Sequence, residues 1–310
     1  MFRVAIGDWT LRQYDQYVGC TDGSEDKVQW ILDTAHKYGI KVLLDVHGVK
    51  DSQNGYESSG HSIPYTWTDD THFDTTSPVG TWMGHWDGSK YDWINEENIT
   101  WGVETVEGLV DRWGSHPALY AVSPVNEPWI NSDIDVLKDF YRRVRTSMRN
   151  KAPHLHFVFD WAFHWDPEVW NDLFPDNDKD NVIMDTHQYM AWFEKHDNID
   201  DIIAEYHDMI TETAAKIKFP IWVGEWSLAT EQCAMWLQGF NTFTGVDTHE
   251  CQWVDCPKSY LPEGIAVDFD RTAEELGPFG VDADLKMTIK KGKCSTDSNV
   301  WSEPEIYKLG

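Results

Sequence analysis

Positive charge is scarce in this chain of 310 residues. Lys and Arg together number 25, against 53 Asp and Glu, which gives a formal net charge of -28 at pH 7. Nucleic acids and anionic membranes are bound through basic surfaces, so this shortage argues against both as partners. The acidic residues are spread over the whole sequence, which indicates a solvated surface and not a charged tail. Neutral ligands are compatible with such a chain.

Cysteine is also scarce, and long apolar runs are absent. No run reaches membrane-spanning length, and no HExxH or comparable spacing indicates a metal site, so we predict no membrane segment, no metal and no cofactor. Four of the five cysteines lie in the last quarter, a clustering typical of disulfides in extracellular proteins, and the odd number leaves at least one unpaired within the chain. The five are Cys20, Cys233, Cys251, Cys256 and Cys294. One N-glycosylation sequon, Asn98-Ile99-Thr100, matters only if the protein is secreted.

Aromatic residues, in contrast, are abundant. The chain has 18 Trp and 12 Tyr, more aromatic surface than a core of this size needs. Wide apolar faces with polar tips suit ring-shaped, hydroxyl-rich ligands, although many of these rings are expected simply to pack helices on strands. The candidate platforms for such a ligand are Trp67, Trp93, Trp161, Trp192 and Trp226.

Strand-like and helix-like segments alternate through most of the sequence. Apolar stretches predict six strands, at residues 2–6, 41–46, 118–125, 155–159, 182–185 and 220–224. Amphipathic stretches predict helices at residues 25–38, 95–113 and 199–217, and a fourth helix that Ser132 caps. The helix at 199–217 is expected to bury Ile203, Tyr206, Ile210 and Ala214. Strict alternation predicts the α/β class and a (β/α)8 TIM barrel, of which about six strands are recognisable.

Two regions depart from the alternation. Residues 50–92 form a long polar stretch without useful periodicity, which we expect to be an ordered, functional loop with polar side chains at residues 52–55. Residues 251–310 are polar and only weakly periodic, and no second domain is visible. We therefore predict a catalytic barrel core at residues 1–250 and a loop-rich segment of the same domain at residues 251–310.

Two glutamates stand at the ends of predicted strands. Glu127 follows the strand that begins at Ala118, and Glu225 follows the strand at residues 220–224. Two further strands lie between theirs, and strands three steps apart face each other across a barrel mouth. Hydrolysis of a glycosidic bond needs such a pair, because one carboxyl group protonates the leaving oxygen while the other attacks the sugar carbon or activates water.

Several segments in order resemble glycoside hydrolase family 5. Asn-Glu-Pro at residues 126–128 and Gly-Glu-Trp-Ser at residues 224–227 are similar to the acid/base and nucleophile segments of that family. The wider set FRVAIGDW, LLDVHG, SQNG, NEPW, DTHQY and VGEWS is similar more narrowly to the exo-β-1,3-glucanases of fungi and oomycetes. The resemblance covers most of residues 2–240.

The resemblance implies a role for each matching residue. Glu127 is expected to be the general acid/base and Glu225 the nucleophile of a retaining glycosidase that releases glucose from β-1,3-glucan. The other residues would bind the substrate or the nucleophile: Arg3, His47, Asn126, His187, Tyr189 and Trp226. It further implies a neutral polysaccharide or oligosaccharide partner, a monomer, and an extracellular or cell-wall location.

Other interpretations of these residues remain open. Arg3 is near the chain terminus and is otherwise explained as a surface residue, and His47 and His187 as structural histidines. We expect Asp45 and Asp185 to orient their neighbours. Other β-glucanase specificities of the family, endo-acting or β-1,6-specific, are alternatives within the enzyme class. A non-catalytic glucan-binding protein is the alternative outside it.

The chain also differs from the family pattern in its extent. Family members have a strand before the one at residues 2–6 and an eighth strand carrying an aromatic residue. We expect the barrel core of this chain to lack its first and last strands, and we expect the open sheet edges to impair folding or activity.

Overall fold

The computed structural model describes residues 1–14, 23–60, 80–164, 166–189 and 199–226. The strands are β1 (Phe2–Gly7), β2 (Val42–Gly48), β3 (Gly84–Trp86), β4 (Tyr91–Ile94), β5 (Leu119–Ser123), β6 (His156–Asp160), β7 (Val182–Gln188) and β8 (Ile221–Trp226). The helices are α1 (Ser24–Lys37), α2 (Glu96–Trp113), α3 (Ile134–Lys151) and α4 (Ile199–Lys216). The five cysteines, for which we predict disulfides, and the segment at 251–310 lie outside the described residues.

Six strands form one parallel sheet in the order β1-β2-β5-β6-β7-β8. Consecutive strands of this sheet lie side by side, and an α-helix precedes each next strand except at the step from β6 to β7, which short 3-10 turns connect. This arrangement confirms the predicted TIM-barrel class. Because all six strands run in the same direction, their carboxyl ends meet at one face. In this register Asp45 lies beside Ser123, and Asp160 lies beside Asp185.

The core has a layer on each side of this sheet. Helices α1, α2 and α3 pack their apolar faces on the outer side, where Leu32, Leu109 and Phe140 are fully buried. A smaller cluster on the other side contains one residue from each of four strands: Leu43, Ala121, Val158 and Ile183. Side chains from several strands filling the interior in this way are typical of a TIM barrel.

The long stretch at residues 50–92 contains an element that the sequence did not reveal. Its last part folds into the antiparallel hairpin of β3 and β4. Trp86 of this hairpin packs edge-on against buried Trp129, with 5.1 Å between ring centroids. The hairpin therefore supports the chain immediately after Pro128.

Two local predictions were wrong. Asp133, and not Ser132, caps α3, because its carboxylate accepts the N–H groups of Asp135 and Val136. The predicted apolar face of α4 is only half buried: Ile203 is 59% exposed and Ala214 is exposed, while Tyr206 and Ile210 are half-buried. Helical periodicity identified residues that share a face, but not whether another element covers that face.

The glycosylation sequon lies at a buried position. Asn98 is in the first turn of α2, is 2% exposed, and donates through Nδ2 to Asp51 Oδ2 at 2.8 Å. A glycan on this nitrogen would break that bond and open the helix start. Among the described helices, none combines the length and apolar composition that crossing a membrane requires.

Candidate active site

Arg3 links the two edges of the described sheet at its carboxyl face. Its side chain projects from β1, and Nη1 donates to Oε1 of Glu225 on β8. Nη2 donates to Oδ1 of Asn126 at 2.6 Å and lies 3.2 Å from Oδ2 of Asp45. Burial alone would lower the pKa of Arg3, but the surrounding carboxylates raise it, so the guanidinium stays charged.

Glu225 is held as an ionised carboxylate. Besides Arg3, it accepts a hydrogen bond from the hydroxyl of Tyr189 at Oε2, at 2.7 Å. Burial alone would raise the pKa of Glu225, but His187, Arg3 and the Tyr189 hydroxyl together lower it. Gly224 precedes it, and any side chain there would collide with the carboxylate of Asp185. The glycine thus permits the close approach of β7 and β8 beneath Glu225.

Glu127 has an unusual main-chain conformation. Its φ angle is 43°, in the left-handed region that residues other than glycine rarely adopt. Its N–H donates to Asp160 Oδ2 at 3.1 Å, and its carbonyl accepts from Nδ2 of Asn54 at 2.8 Å. Two buried polar side chains from distant parts of the chain therefore hold this peptide segment.

His187 lies between the two glutamates. Its Nδ1 is 2.6 Å from Oε1 of Glu127 and 3.7 Å from Oε2 of Glu225. Its Nε2 lies 3.6 Å from Asp185 and 3.8 Å from Asp160. Burial alone would lower the pKa of His187, but these carboxylates raise it well above its ordinary value. Its side chain is fully buried.

One ligand atom from each of Glu127, His187 and Glu225 lies within 4.8 Å of the other two. The same three side chains are close enough to hold a metal ion, although carboxylates paired with Arg and His are common without one. The absence of a metal stays a prediction.

His47, at the end of β2, belongs to the same cluster. Its Nδ1 is 2.7 Å from Oδ2 of buried Asp45 and 4.0 Å from Oε1 of Glu225. Burial alone would lower the pKa of His47, whereas the hydrogen bond and charge of Asp45 raise it. Asp45 thus contacts both His47 and Arg3.

The structure brings together seven of the eight predicted site residues. The eighth, Trp226, ends β8 and is 64% exposed. Of the other candidate platforms, Trp93 is 57% exposed on β4 and Trp161 is buried, while Trp67 and Trp192 lie outside the described residues. The functional roles of all eight stay predictions.

Three residues that reach the main chain of the site were not singled out from the sequence. Asp160 and Asn54 hold Glu127, and Gln53 Nε2 donates to the carbonyls of His47 and Asn126, at 2.9 and 2.8 Å. A strand-end position was the available signal for Asp160, and the polar run at residues 52–55 was the signal for the other two.

The sequence matches the family model described as Cellulase (glycosyl hydrolase family 5) over residues 1–263. The chain belongs to this family. Among curated relatives, it is 27% identical over 264 residues to a probable glucan 1,3-beta-glucosidase A of Aspergillus niger, covering 82% of this chain and 55% of that protein. It is 29% identical over 247 residues to a glucan 1,3-beta-glucosidase of Blumeria graminis, covering 77% and 50%.

Solved structures agree with the fold. The rutinosidase of Aspergillus niger superposes with a TM-score of 0.53 at 19% identity, covering 75% of this chain and 63% of that one. The chain spans about half the length of the curated relatives that it matches.

Proposed function

We propose that this protein is a retaining O-glycosyl hydrolase that acts on β-1,3-glucan in exo fashion and releases glucose. The observation that carries the proposal is the pair Glu127 and Glu225 at the carboxyl ends of parallel strands, with one oxygen of each within 4.8 Å of the other and His187 in contact with Glu127. Such closeness suits a retaining mechanism, because an inverting enzyme needs more space between its carboxyl groups for a water molecule. The glycosidase class is supported by family membership. The substrate is supported by the relatives that are glucan 1,3-beta-glucosidases.

Glu225 is the nucleophile in this proposal. Its ionised carboxylate attacks the anomeric carbon, and the bond from that carbon to the leaving oxygen breaks as the glycosyl–enzyme ester forms. Arg3 and Tyr189 orient the carboxylate and keep it charged. Water then attacks the same carbon, the ester bond breaks, and the carboxylate of Glu225 is restored.

Glu127 is the acid/base in this proposal. In the first step its carboxyl group gives a proton to the leaving oxygen, and in the second it takes a proton from the attacking water. Nδ1 of His187 lies 2.6 Å from Oε1 of this carboxyl group, so the imidazole is placed to exchange a proton with it. The surrounding carboxylates raise the pKa of His187, which favours its protonated form.

Asn126 supplies a donor for the substrate. Arginine can only donate, so its contact fixes Oδ1 of Asn126 toward Arg3 and leaves Nδ2 on the other side. That Nδ2 is buried and has no acceptor among the described residues. A sugar hydroxyl would satisfy it, and resemblance to the family identifies this as the 2-hydroxyl.

Azide and an activated substrate test the two assignments together. Glu225→Ala should lower kcat by about 10⁶-fold. With 2,4-dinitrophenyl β-glucoside, azide should then restore turnover by direct displacement and give the inverted α-glucosyl azide. Glu127→Ala should instead give the retained β-glucosyl azide, since its nucleophile is intact. Full activity of both variants, or the same azide product from both, would exclude the proposal.

Early products distinguish the remaining specificities. Exo action on laminarin should release glucose as the only early product, whereas an endo-acting enzyme would release a mixture of oligosaccharides. Hydrolysis of a β-1,6-glucan in preference to laminarin would identify the β-1,6 alternative. Binding to insoluble glucan without release of reducing sugar would indicate a binding protein. The monomeric state and the extracellular location stay predictions.

A further inference from the structure

Asp160, at the end of β6, is a buried carboxylate to which the proposed reaction assigns no role. It is 1% exposed, and both of its oxygens accept main-chain N–H groups. Oδ1 accepts from Ala162 at 2.7 Å, and Oδ2 accepts from Glu127 at 3.1 Å. One side chain therefore joins the chain following β5 to the chain following β6.

Both segments that Asp160 joins have left-handed main chain. The φ angle is 43° at Glu127, 53° at Ala162 and 56° at Phe163. This region is strained for any residue other than glycine, and such a conformation persists where surrounding contacts determine it. The two hydrogen bonds of Asp160 are such contacts. Asn54 adds a third contact, because its Nδ2 donates to the main-chain carbonyl of Glu127.

Asp160 also faces the ring that contacts the carboxyl group of Glu127. Its Oδ2 lies 3.8 Å from Nε2 of His187, beyond hydrogen-bond distance but close enough for charge attraction. The other charged group nearby is Asp185, on β7. Asp160 is therefore linked to Glu127 in two ways. It accepts the Glu127 main-chain N–H, and it lies close to His187, which contacts the Glu127 carboxyl group.

We propose that Asp160 is a positioning residue for the acid step: it fixes the main chain of Glu127 and the ring of His187, so that the Glu127 carboxyl group meets the leaving oxygen. This inference rests on the proposed function, in which Glu127 is the acid. The carboxylate of Asp160 touches no reacting atom. Its loss therefore matters most where the leaving group needs a proton.

Leaving-group dependence tests this role in the full chain. Asp160→Asn keeps the side-chain volume but cannot accept both N–H groups, and Asp160→Ser keeps one smaller acceptor. For either variant, kcat/KM on laminaribiose should fall by about 100-fold, mainly in kcat, because proton donation to a poor leaving group is impaired. On 2,4-dinitrophenyl β-glucoside, which leaves without a proton, the first step should slow by less than about 3-fold.

Asp8→Asn is the matched control. Asp8 is another buried carboxylate at a strand end, and it accepts the Lys50 N–H and the Tyr14 hydroxyl, each at 2.7 Å. Thermal melts of all variants establish that each is folded. The positioning role would be overturned if the Asp160 variants lost activity equally on the two substrates. It would also be overturned if their loss of kcat/KM on laminaribiose were no larger than that of Asp8→Asn. Glu127→Ala is measured in parallel: if it shows no difference between the substrates, the acid/base assignment itself fails.

Discussion

The two sides of the candidate site hold their carboxyl groups by different means. On the side of β1 and β8, Glu225 contacts the guanidinium of Arg3 and the hydroxyl of Tyr189. On the side of β5 and β6, Asp160 accepts the main-chain N–H groups of Glu127 and Ala162, and the carboxyl group of Glu127 contacts His187. No Lys or Arg forms an ion pair with either carboxyl group among the described residues.

The pKa shifts follow this difference. The pKa of Glu225 is lowered in spite of burial, whereas burial raises the pKa of Asp160 to about 7, although the charge of His187 opposes this. A carboxyl group that its surroundings keep ionised is suited to act as a nucleophile. The position of Arg3, more than the sequence around each glutamate, therefore supports Glu225 as the nucleophile.

The largest expected effect is that of removing the cation. Arg3→Ala leaves Asp45, Asp185 and Glu225 close together without their shared partner. We expect the free energy of unfolding to fall by about 3–5 kcal/mol, as for other broken buried ion pairs. We expect kcat/KM to fall by about 10³-fold, since Glu225 loses both orientation and charge stabilisation. Urea denaturation and initial rates on an aryl glucoside measure the two losses.

Two variants sharpen this comparison. Arg3→Lys keeps the charge but cannot donate to Glu225 and Asn126 in the same fork, so its losses should be intermediate. Arg12→Ala is the control, because Arg12 pairs with exposed Glu104 and stacks on Trp101, contacts worth about 1 kcal/mol. If Arg12→Ala lowers the free energy of unfolding and kcat/KM as much as Arg3→Ala does, the difference between the two sides of the site does not depend on Arg3.

A smaller effect is expected from the neutral donor on the same side. Tyr189→Phe removes one hydrogen bond to the charged form of Glu225, worth about 1.5–3 kcal/mol, so kcat/KM should fall between about 10-fold and 150-fold. Because that bond lowers the pKa of Glu225, its loss raises the pKa, and the acidic limb of the pH–rate profile should move to higher pH. Tyr120→Phe, which removes a contact to His156 at the far end of β6, should leave the profile unchanged.

The sequence predicted the sheet well because its signals are local. Each strand of the large sheet is an apolar run, and each ends in polar residues, so the strands and their carboxyl ends could be identified together. The hairpin was not predicted because its strands are too short for a periodic signal: β3 is Gly-His-Trp and β4 is Tyr-Asp-Trp-Ile. The exposed face of α4 shows that periodicity does not identify what packs against a helix.

The site was predictable in its side chains and not in its main chain. Glu127, Asn126, Glu225 and the two histidines stand in recognisable segments. The hydrogen bonds that hold the main chain of Glu127 come from Asp160 and Asn54, which are 33 and 73 positions away in the sequence. No sequence pattern around either residue predicts that it contacts Glu127. The left-handed φ angle of Glu127 could not be predicted from the sequence either, because glutamate rarely adopts this conformation.

The smallest expected effect on activity is that of Asp8→Asn. This variant tests whether burial alone is enough to raise the pKa of a carboxyl group in this fold. Burial raises the pKa of Asp8 to about 6, against 3.8 ordinarily. Because the folded state holds this proton more tightly than the unfolded state, protonation of Asp8 stabilises the wild-type fold. This stabilisation is complete below about pH 4, is lost as the pH rises through about 6, and amounts to about 3 kcal/mol of unfolding free energy. Asp8→Asn has no proton to lose, so its stability relative to wild type should rise across this window while kcat/KM changes less than about 2-fold. Urea denaturation at pH 4, 5, 6 and 7 measures the difference, and a constant difference would mean that Asp8 is ionised throughout, in contrast to Asp160.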